Sequence, residues 1–178
     1  MPYPDPYWAF FWPGGQSLTR YILDQQQYFK NKNIVDIGSG CGASAIACKM
    51  AGARKVLAND IDEVAIGAIK LNASDNGMDI CVSSDNLIGC VHSDWDIVLL
   101  GDMFYDNNFV NIISEWVPSL SFNGISVYIG DPGRLPLMEH PLKSKLKMEC
   151  KYELPDNCLK ENYGMDTGYV WKYCEESL

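Results

Sequence analysis

The stretch Val35-Asp36-Ile37-Gly38-Ser39-Gly40-Cys41-Gly42 decides the fold of this chain. It predicts an apolar strand that ends at Ile37, a glycine turn, and a helix that begins near Ala43. Glycines at alternate positions let the backbone approach a ligand where a Cβ would clash. The helix that follows points its free N–H groups at the same place. Together these features indicate a nucleotide-type cofactor site.

Around this stretch, apolar strands alternate with amphipathic helices. The pattern predicts strands at 33–38, 55–59, 80–83, 95–100 and 125–130, and helices at 43–51, 62–74 and 109–117, the last ended by Pro118. Residues 135–147 are predicted to be helical, and 148–154 and 167–174 to form an antiparallel strand pair at the sheet edge, joined by a polar loop. Strands that alternate with helices indicate βαβ units and a mainly parallel sheet.

The chain of 178 residues is therefore predicted to be one α/β domain. The fold class is a Rossmann-like, seven-stranded, mainly parallel sheet with helices on both faces. Residues 1–16 are predicted to be an aromatic entrance segment, because positions 7–12 hold five aromatic residues. Trp12, which precedes a predicted Pro-Gly-Gly turn, is a candidate for lining the cofactor site, and a place in the core is the alternative.

Composition excludes several classes of protein. A net charge of −9 and a pI near 4.6 argue against nucleic acid as a partner. No apolar stretch reaches the ~18 residues of a membrane span, so no membrane is expected. The seven cysteines form no C-x-x-C pair, so we expect neither a metal site nor a disulfide framework. Cys41 lies near a predicted helix N-terminus, which can lower the pKa of a thiol. The alternative is that Cys41 is simply a small residue that the turn tolerates.

The choice of cofactor rests on two acidic residues. Gly38-x-Gly40-x-x-Ala43 also fits a dinucleotide fingerprint, and Asp60 after the second strand suits the ribose of either cofactor. Asp36 favours S-adenosylmethionine, because a carboxylate there can meet a cationic amino-acid tail and would repel a pyrophosphate. The residues after the nucleotide fold are too few for the substrate domain of a dehydrogenase.

The segment after the fourth strand, Gly101-Asp102-Met103-Phe104-Tyr105-Asp106, is where we expect a methyl donor to meet its acceptor. Asp102 can orient an incoming amine, and Tyr105 can flank a lysine chain and a methylsulfonium by cation–π attraction. The alternative is that Asp102 and Asp106 cap the next helix, which we favour for Asp106. After the fifth strand, Asp131 and Arg134 either pair, contact substrate, or belong to a capped turn.

Five quoted motifs carry a family resemblance: residues 7–16 (YWAFFWPGGQ), 36–43 (DIGSGCGA), 57–62 (LANDID), 100–106 (LGDMFYD) and 129–134 (IGDPGR). Together they resemble the electron-transfer flavoprotein β-subunit lysine methyltransferases, which are seven-β-strand, class I methyltransferases. The resemblance implies S-adenosylmethionine as donor and lysines of the flavoprotein β subunit as acceptors.

The resemblance also assigns residues. Asp36, Gly38, Gly40 and Asp60 map to the cofactor loop and ribose contact, Asp85 to the adenine side, and Asp102 and Tyr105 to the substrate end. The implied compartment is the mitochondrial matrix. No targeting segment is visible in this chain, so the cytoplasm is the alternative. The rival functions are methylation of another protein or a small amine, and a cofactor-binding scaffold without catalysis.

Overall fold

The seven predicted strands form one sheet in the computed structural model, which describes residues 5–156 and 164–175. The strands are β1 (Asn33–Ile37), β2 (Lys55–Asn59), β3 (Cys81–Ser83), β4 (Ile97–Gly101), β5 (Ser126–Asp131), β6 (Leu146–Glu153) and β7 (Thr167–Tyr173). The helices are α1 (Pro13–Asp24), α2 (Ala43–Met50), α3 (Glu63–Asp75), α4 (Asn107–Phe122) and α5 (Leu135–Met138). Short 3₁₀ turns lie at Tyr7–Ala9, Gln26–Tyr28 and Pro141–Lys145.

The strand order is β3-β2-β1-β4-β5-β7-β6. The first five strands pair in parallel, and β7 pairs antiparallel with both β5 and β6. The order reverses between β1 and β4, and open α/β sheets bind ligands at the carboxyl ends of the strands beside such a switch point. The predicted antiparallel pair is confirmed, with β6 at the edge.

Two apolar cores cover the two faces of the sheet. Along β1, Ile34 belongs to one core and Val35 to the other, because successive strand side chains point to opposite faces. Helices α1, α2 and α3 cover the Ile34 face, whereas α4 and α5 cover the Val35 face. The mainly parallel sheet with helices on both faces, predicted from the sequence, is confirmed.

The Pro-Gly-Gly turn predicted after Trp12 is wrong. These residues begin α1, with Pro13 in the first turn, where its missing N–H costs nothing. The helix packs on β5 and β7, and Gly14 lies so close to the backbone of Gly130 that a larger residue would not fit at either position. A tertiary contact thus explains glycines that look like a turn in the sequence.

Two other predicted boundaries are corrected. Helix α4 continues through Pro118 to Phe122, because Trp116, Val117 and Leu120 on both sides of the proline are buried in the core. The single helix predicted over 135–147 is instead α5, a 3₁₀ turn and the start of β6. Of the predicted polar loop, residues 157–163 lie outside the described residues, as do residues 1–4 of the entrance segment. The single-domain organisation stays a prediction.

Candidate active site

A cavity of about 1210 Å³ lies at the carboxyl ends of β1, β2 and β4. Its wall comes from the aromatic segment before α1, from the glycine loop between β1 and α2, and from the segments after β2, β4 and β5. The cavity sits where the strand order reverses, which is the position expected for a ligand in this type of sheet. The site residues can therefore be followed strand by strand.

The glycine loop has a backbone that only glycine adopts readily. Gly38 and Gly40 have φ values of +65° and +55°, and Gly42, at +86°, is the N-cap of α2. A Cβ on Gly40 would lie 3.0 Å from the carbonyl oxygen of Trp8, and one on Gly38 would collide with the sulfur of Met103. Gly38 and Gly40 both line the cavity, as predicted.

Asp36 lies at the end of β1 and is 3% exposed, yet it also lines the cavity. The hydroxyl of Ser39 donates to its Oδ2 at 2.6 Å. Burial raises the pKa of Asp36 to about 7, although its hydrogen bond with Ser39 acts in the opposite direction. The few hydrogen bonds to this carboxyl group do not offset the cost of burying its charge, so the approach of a cation would stabilise the ionised form.

Asp60 follows β2 and fixes the glycine loop. Its Oδ2 accepts the backbone N–H of Gly40 at 2.9 Å, and its Oδ1 accepts that of Asp62 at 3.0 Å. Burial raises the pKa of Asp60. Asp62 in turn caps α3 by accepting the N–H of Val64.

Asp85 is the predicted site residue that the structure leaves apart from the others. Its side chain is exposed and accepts the hydroxyl of Ser83 at 2.9 Å, and it is not among the residues lining the cavity. The neighbouring Asn86 and Ile88 do line it. A role for Asp85 at the adenine side stays a prediction.

Asp102 follows β4 and is nearly buried, with a φ of +55° that is uncommon for a residue other than glycine. Its Oδ2 accepts the N–H groups of Gly14 and Gly15 at the start of α1. Its Oδ1 accepts Nε and Nη2 of Arg134 at 3.0 and 2.7 Å. Burial raises the pKa of Asp102, and the Arg134 guanidinium opposes the rise.

The structure decides between the alternatives for the loops that follow β4 and β5. Asp106 caps α4 by accepting the N–H of Phe109 at 2.9 Å. Asp131 accepts the backbone N–H groups of Gly133 and Arg134, which is the capped turn. The Arg134 side chain pairs with Asp102 rather than with Asp131, and no local sequence pattern indicated this pair.

Aromatic residues surround the mouth of the cavity. Tyr105 lines it, is 56% exposed, and stacks on Phe109 with ring centroids 5.1 Å apart. Trp12 also lines it, and its indole N–H donates to the carbonyl of Tyr7 at 2.9 Å. Phe10 packs against Trp12 at 5.3 Å. The predicted position of Trp12 beside the cofactor cavity fits this arrangement.

Cys41 does not have the lowered thiol pKa that was one of two alternatives. Burial raises its pKa, and the charge of Asp60 adds to the rise. Its thiol donates to the carbonyl of Trp8 at 3.2 Å. The thiol therefore ties the glycine loop to the aromatic segment.

The residues present fit S-adenosylmethionine. The backbone of the glycine loop at Gly38 and Gly40 lines the cavity without side chains, and Asp36 and Asp60 line it beside the loop. Acidic groups suit the ammonium group of the tail and the ribose hydroxyls of this donor, whereas they would repel a pyrophosphate.

Comparisons with known proteins agree with this assignment. The model of the ribosomal protein L11 methyltransferase (PrmA) family matches residues 17–121. The electron transfer flavoprotein beta subunit lysine methyltransferases of Danio rerio and Xenopus laevis are 43% and 44% identical to this chain. Each match covers 97% of this chain, and 67% and 71% of the respective relative.

Solved structures share the fold. The ribosomal protein L11 methylase of Lactobacillus delbrueckii subsp. bulgaricus has a TM-score of 0.61 at 22% identity, covering 90% of this chain and 78% of that chain. The magnesium protoporphyrin IX methyltransferase of Synechocystis PCC 6803 with bound SAM has a TM-score of 0.61 at 15% identity, covering 89% and 78%. The predicted class I methyltransferase fold is confirmed. With its curated relatives matched over nearly its whole length, the chain belongs to the electron transfer flavoprotein beta subunit lysine methyltransferase family.

Proposed function

We propose that the protein is an S-adenosylmethionine-dependent protein-lysine N-methyltransferase that acts on the electron transfer flavoprotein β subunit. The observation that carries the proposal is the charge of the cavity. Five aspartates line it, and Arg134 is the only lysine or arginine among its described lining residues. Such a cavity attracts cations, and both the methyl donor and a lysine side chain are cations in solution.

The donor end of the site is the glycine loop. Asp36 would hold the ammonium group of the amino-acid tail, and Asp60 would accept hydrogen bonds from the ribose hydroxyls. Gly38 and Gly40 would let the donor lie close to the backbone of the loop. S-adenosylmethionine, when bound, supplies the methyl group on a positively charged sulfur.

The acceptor end is formed by Asp102 and Tyr105. Transfer is a direct displacement, so the alignment of nitrogen, methyl carbon and sulfur supplies much of the rate. The exposed ring of Tyr105, held by its stacking on Phe109, guides the lysine chain and attracts its ammonium group. Both oxygens of Asp102 already accept hydrogen bonds from the protein, so we propose that it orients the amine and that solvent takes the proton.

The compartment we propose is the mitochondrial matrix, which the family resemblance supports. In the described part of the chain, no helix has the length and apolar character needed to cross a membrane. A fluorescent fusion of the complete natural protein, viewed beside a matrix marker, tests the assignment. A diffuse cytoplasmic signal would contradict it.

A labelled-methyl transfer assay tests the function. Purified protein should label recombinant flavoprotein β subunit on lysines, located by peptide mass spectrometry. Tyr105→Ala should lower the transfer rate at unchanged donor affinity, since the ring contacts the acceptor side. Phe122→Ala, which removes an exposed aromatic ring at the far end of α4, is the control. Donor binding without labelling of the flavoprotein would refute this substrate, and labelling of another protein would identify the rival acceptor.

A further inference from the structure

The ion pair between Arg134 and Asp102 lies inside the cavity proposed for catalysis. The side chain of Arg134 is 18% exposed and that of Asp102 is 5% exposed. The guanidinium contacts Oδ1, the oxygen of Asp102 that faces away from the start of α1. A protein cation therefore sits on the carboxylate that the proposed function assigns to the acceptor amine.

The position of Asp102 is fixed independently of Arg134. Gly14 and Gly15 of α1 donate to Oδ2, and the backbone N–H of Asp102 donates to the carbonyl of Gly130 at 2.9 Å. The following residue, Met103, contacts Gly38 of the glycine loop. Oδ1 therefore has a fixed position, accepts from one cation, and belongs to a residue that lines the same cavity as Gly38 and Tyr105.

We propose that the guanidinium of Arg134 occupies the acceptor-amine subsite and that the substrate lysine displaces it from Asp102. This inference rests on the proposed function. Exchange of one cation for another keeps the nearly buried carboxylate paired, and an unpaired buried charge would be strongly unfavourable. The displaced guanidinium has a second partner at hand, because it already lies 5.9 Å from the centre of the Trp12 ring.

The exchange also gives a basis for selecting protein substrates. A free amine gains only the contact that Arg134 gives up, so it displaces the guanidinium poorly. A lysine on a protein adds contacts with the exposed aromatic rings at the mouth, which include Tyr7, Phe10 and Phe11. The internal ion pair thereby disfavours small amines and favours acceptors that cover the mouth of the cavity.

Arg134→Lys tests the proposal directly. The Nζ atom of a lysine side chain falls where the Cζ atom of the arginine lies, so it places an amine at the subsite. The lone pair of the neutral amine then forms the N–C bond to the donor methyl group. The S–C bond breaks with its electron pair going to sulfur, and the ammonium proton leaves to solvent. We expect the variant to methylate itself at position 134.

Peptide mass spectrometry after incubation with S-adenosylmethionine locates the added methyl group. Because the reaction is intramolecular, its rate constant should not change on dilution of the protein. Leu135→Lys, which adds a lysine at an exposed neighbouring position, is the control and should stay unmodified. A folded Arg134→Lys variant that binds the donor but stays unmodified at residue 134 would overturn the proposal. Wild-type labelling of the flavoprotein is scored separately, so the proposed function can stand or fall independently.

A donor-free measurement covers the case in which the lysine variant does not fold. Arg134→Ala removes the competing cation, and n-butylammonium is a probe that mimics a lysine side chain. Calorimetry should show it binding about tenfold tighter to Arg134→Ala than to the wild type, the gain expected of a hydrogen bond to a charged group. Adding Asp102→Asn to Arg134→Ala should abolish this gain. Equal binding to wild type and Arg134→Ala would contradict a subsite at this position.

Discussion

Replacement of Gly14 by alanine tests how the first helix holds the acceptor side of the site. A Cβ on Gly14 would lie 2.6 Å from Oδ2 of Asp102 and closer still to the carbonyl oxygen of Gly130. Neither neighbour is the end of a flexible chain, because Gly130 is backbone and Asp102 is held by Arg134. Helix α1 must therefore move away from β5.

The size of the effect follows from one stabilising and two destabilising contributions. Alanine favours a helix over glycine by up to about 1 kcal/mol. Overpacking costs about 1–3 kcal/mol, and each hydrogen bond to the Asp102 carboxylate that is lost costs about 1.5–3 kcal/mol. We expect the free energy of unfolding to fall by about 3 kcal/mol. For a chain of this length, the melting temperature should fall by about 6–12 °C.

Urea and thermal denaturation measure the change, with Gly67→Ala as the matched control. Gly67 lies inside α3, and a Cβ there meets nothing within 4 Å. The control should therefore stabilise the protein by about 0.5–1 kcal/mol. Methyl transfer by Gly14→Ala should fall at a temperature where the protein remains folded, because Asp102 loses its support. A Gly14→Ala protein as stable as the control would refute the close packing of α1 on β5.

Three further predictions concern single groups. Burial raises the pKa of Asp36 to about 7, whereas an aspartate in the unfolded chain titrates near pH 4. Between these two pH values the folded protein keeps a proton on Asp36 that the unfolded chain has released. Its contribution to the free energy of unfolding is therefore fully present below about pH 4 and is lost as the pH rises to about 7, and Asp36→Asn should flatten that part of a urea-denaturation pH profile. Cys41, whose thiol pKa is raised by burial, should react more slowly with iodoacetamide than the exposed Cys81, and equal rates would contradict the described environment. Asp62→Ala should lower the free energy of unfolding by about 1 kcal/mol through loss of the bond to the N–H of Val64, and an unchanged urea midpoint would show that this cap contributes nothing.

The sequence predicted the parallel half of the fold well, because that half is encoded locally. Strand β4 is an unbroken apolar run, as a strand buried on both faces requires, and Gly38 and Gly40 mark the turn after β1. Helix α3 has its own cap at Asp62. Each of these signals lies within the element that it predicts.

The errors arose where distant contacts overrule local preference. Pro13-Gly14-Gly15 has the composition of a turn, yet packing of α1 on β5 stabilises the helix and requires small residues there. Pro118 ends many helices, yet burial of its neighbours carries α4 past it. A single sequence contains no local sign of either contact.

The candidate site also combines residues that local sequence predicts with residues that only distant contacts bring together. Asp36 and Asp60 are near the glycine loop in sequence, and both line the cavity as expected. The pair of Asp102 with Arg134 joins residues 32 positions apart, whereas the only partner that the sequence suggested for Arg134 was the nearby Asp131. The loops after β4 and β5 meet only because those strands are neighbours in the sheet.

The packing of α1 has a consequence for how the chain folds as it is synthesised. The hydroxyl of Ser17 lies so close to Gly168 in β7 that no side chain fits there, and Tyr152 of β6 donates to Asp24 at the end of α1. Helix α1 is thus completed by strands that leave the ribosome long after it, since Tyr152 and Asp24 lie 128 positions apart. Contacts between such distant positions form slowly, since a long loop must close before they are made. We expect nascent chains that end before β7 to expose the apolar face of α1 and to need protection from aggregation until β7 emerges.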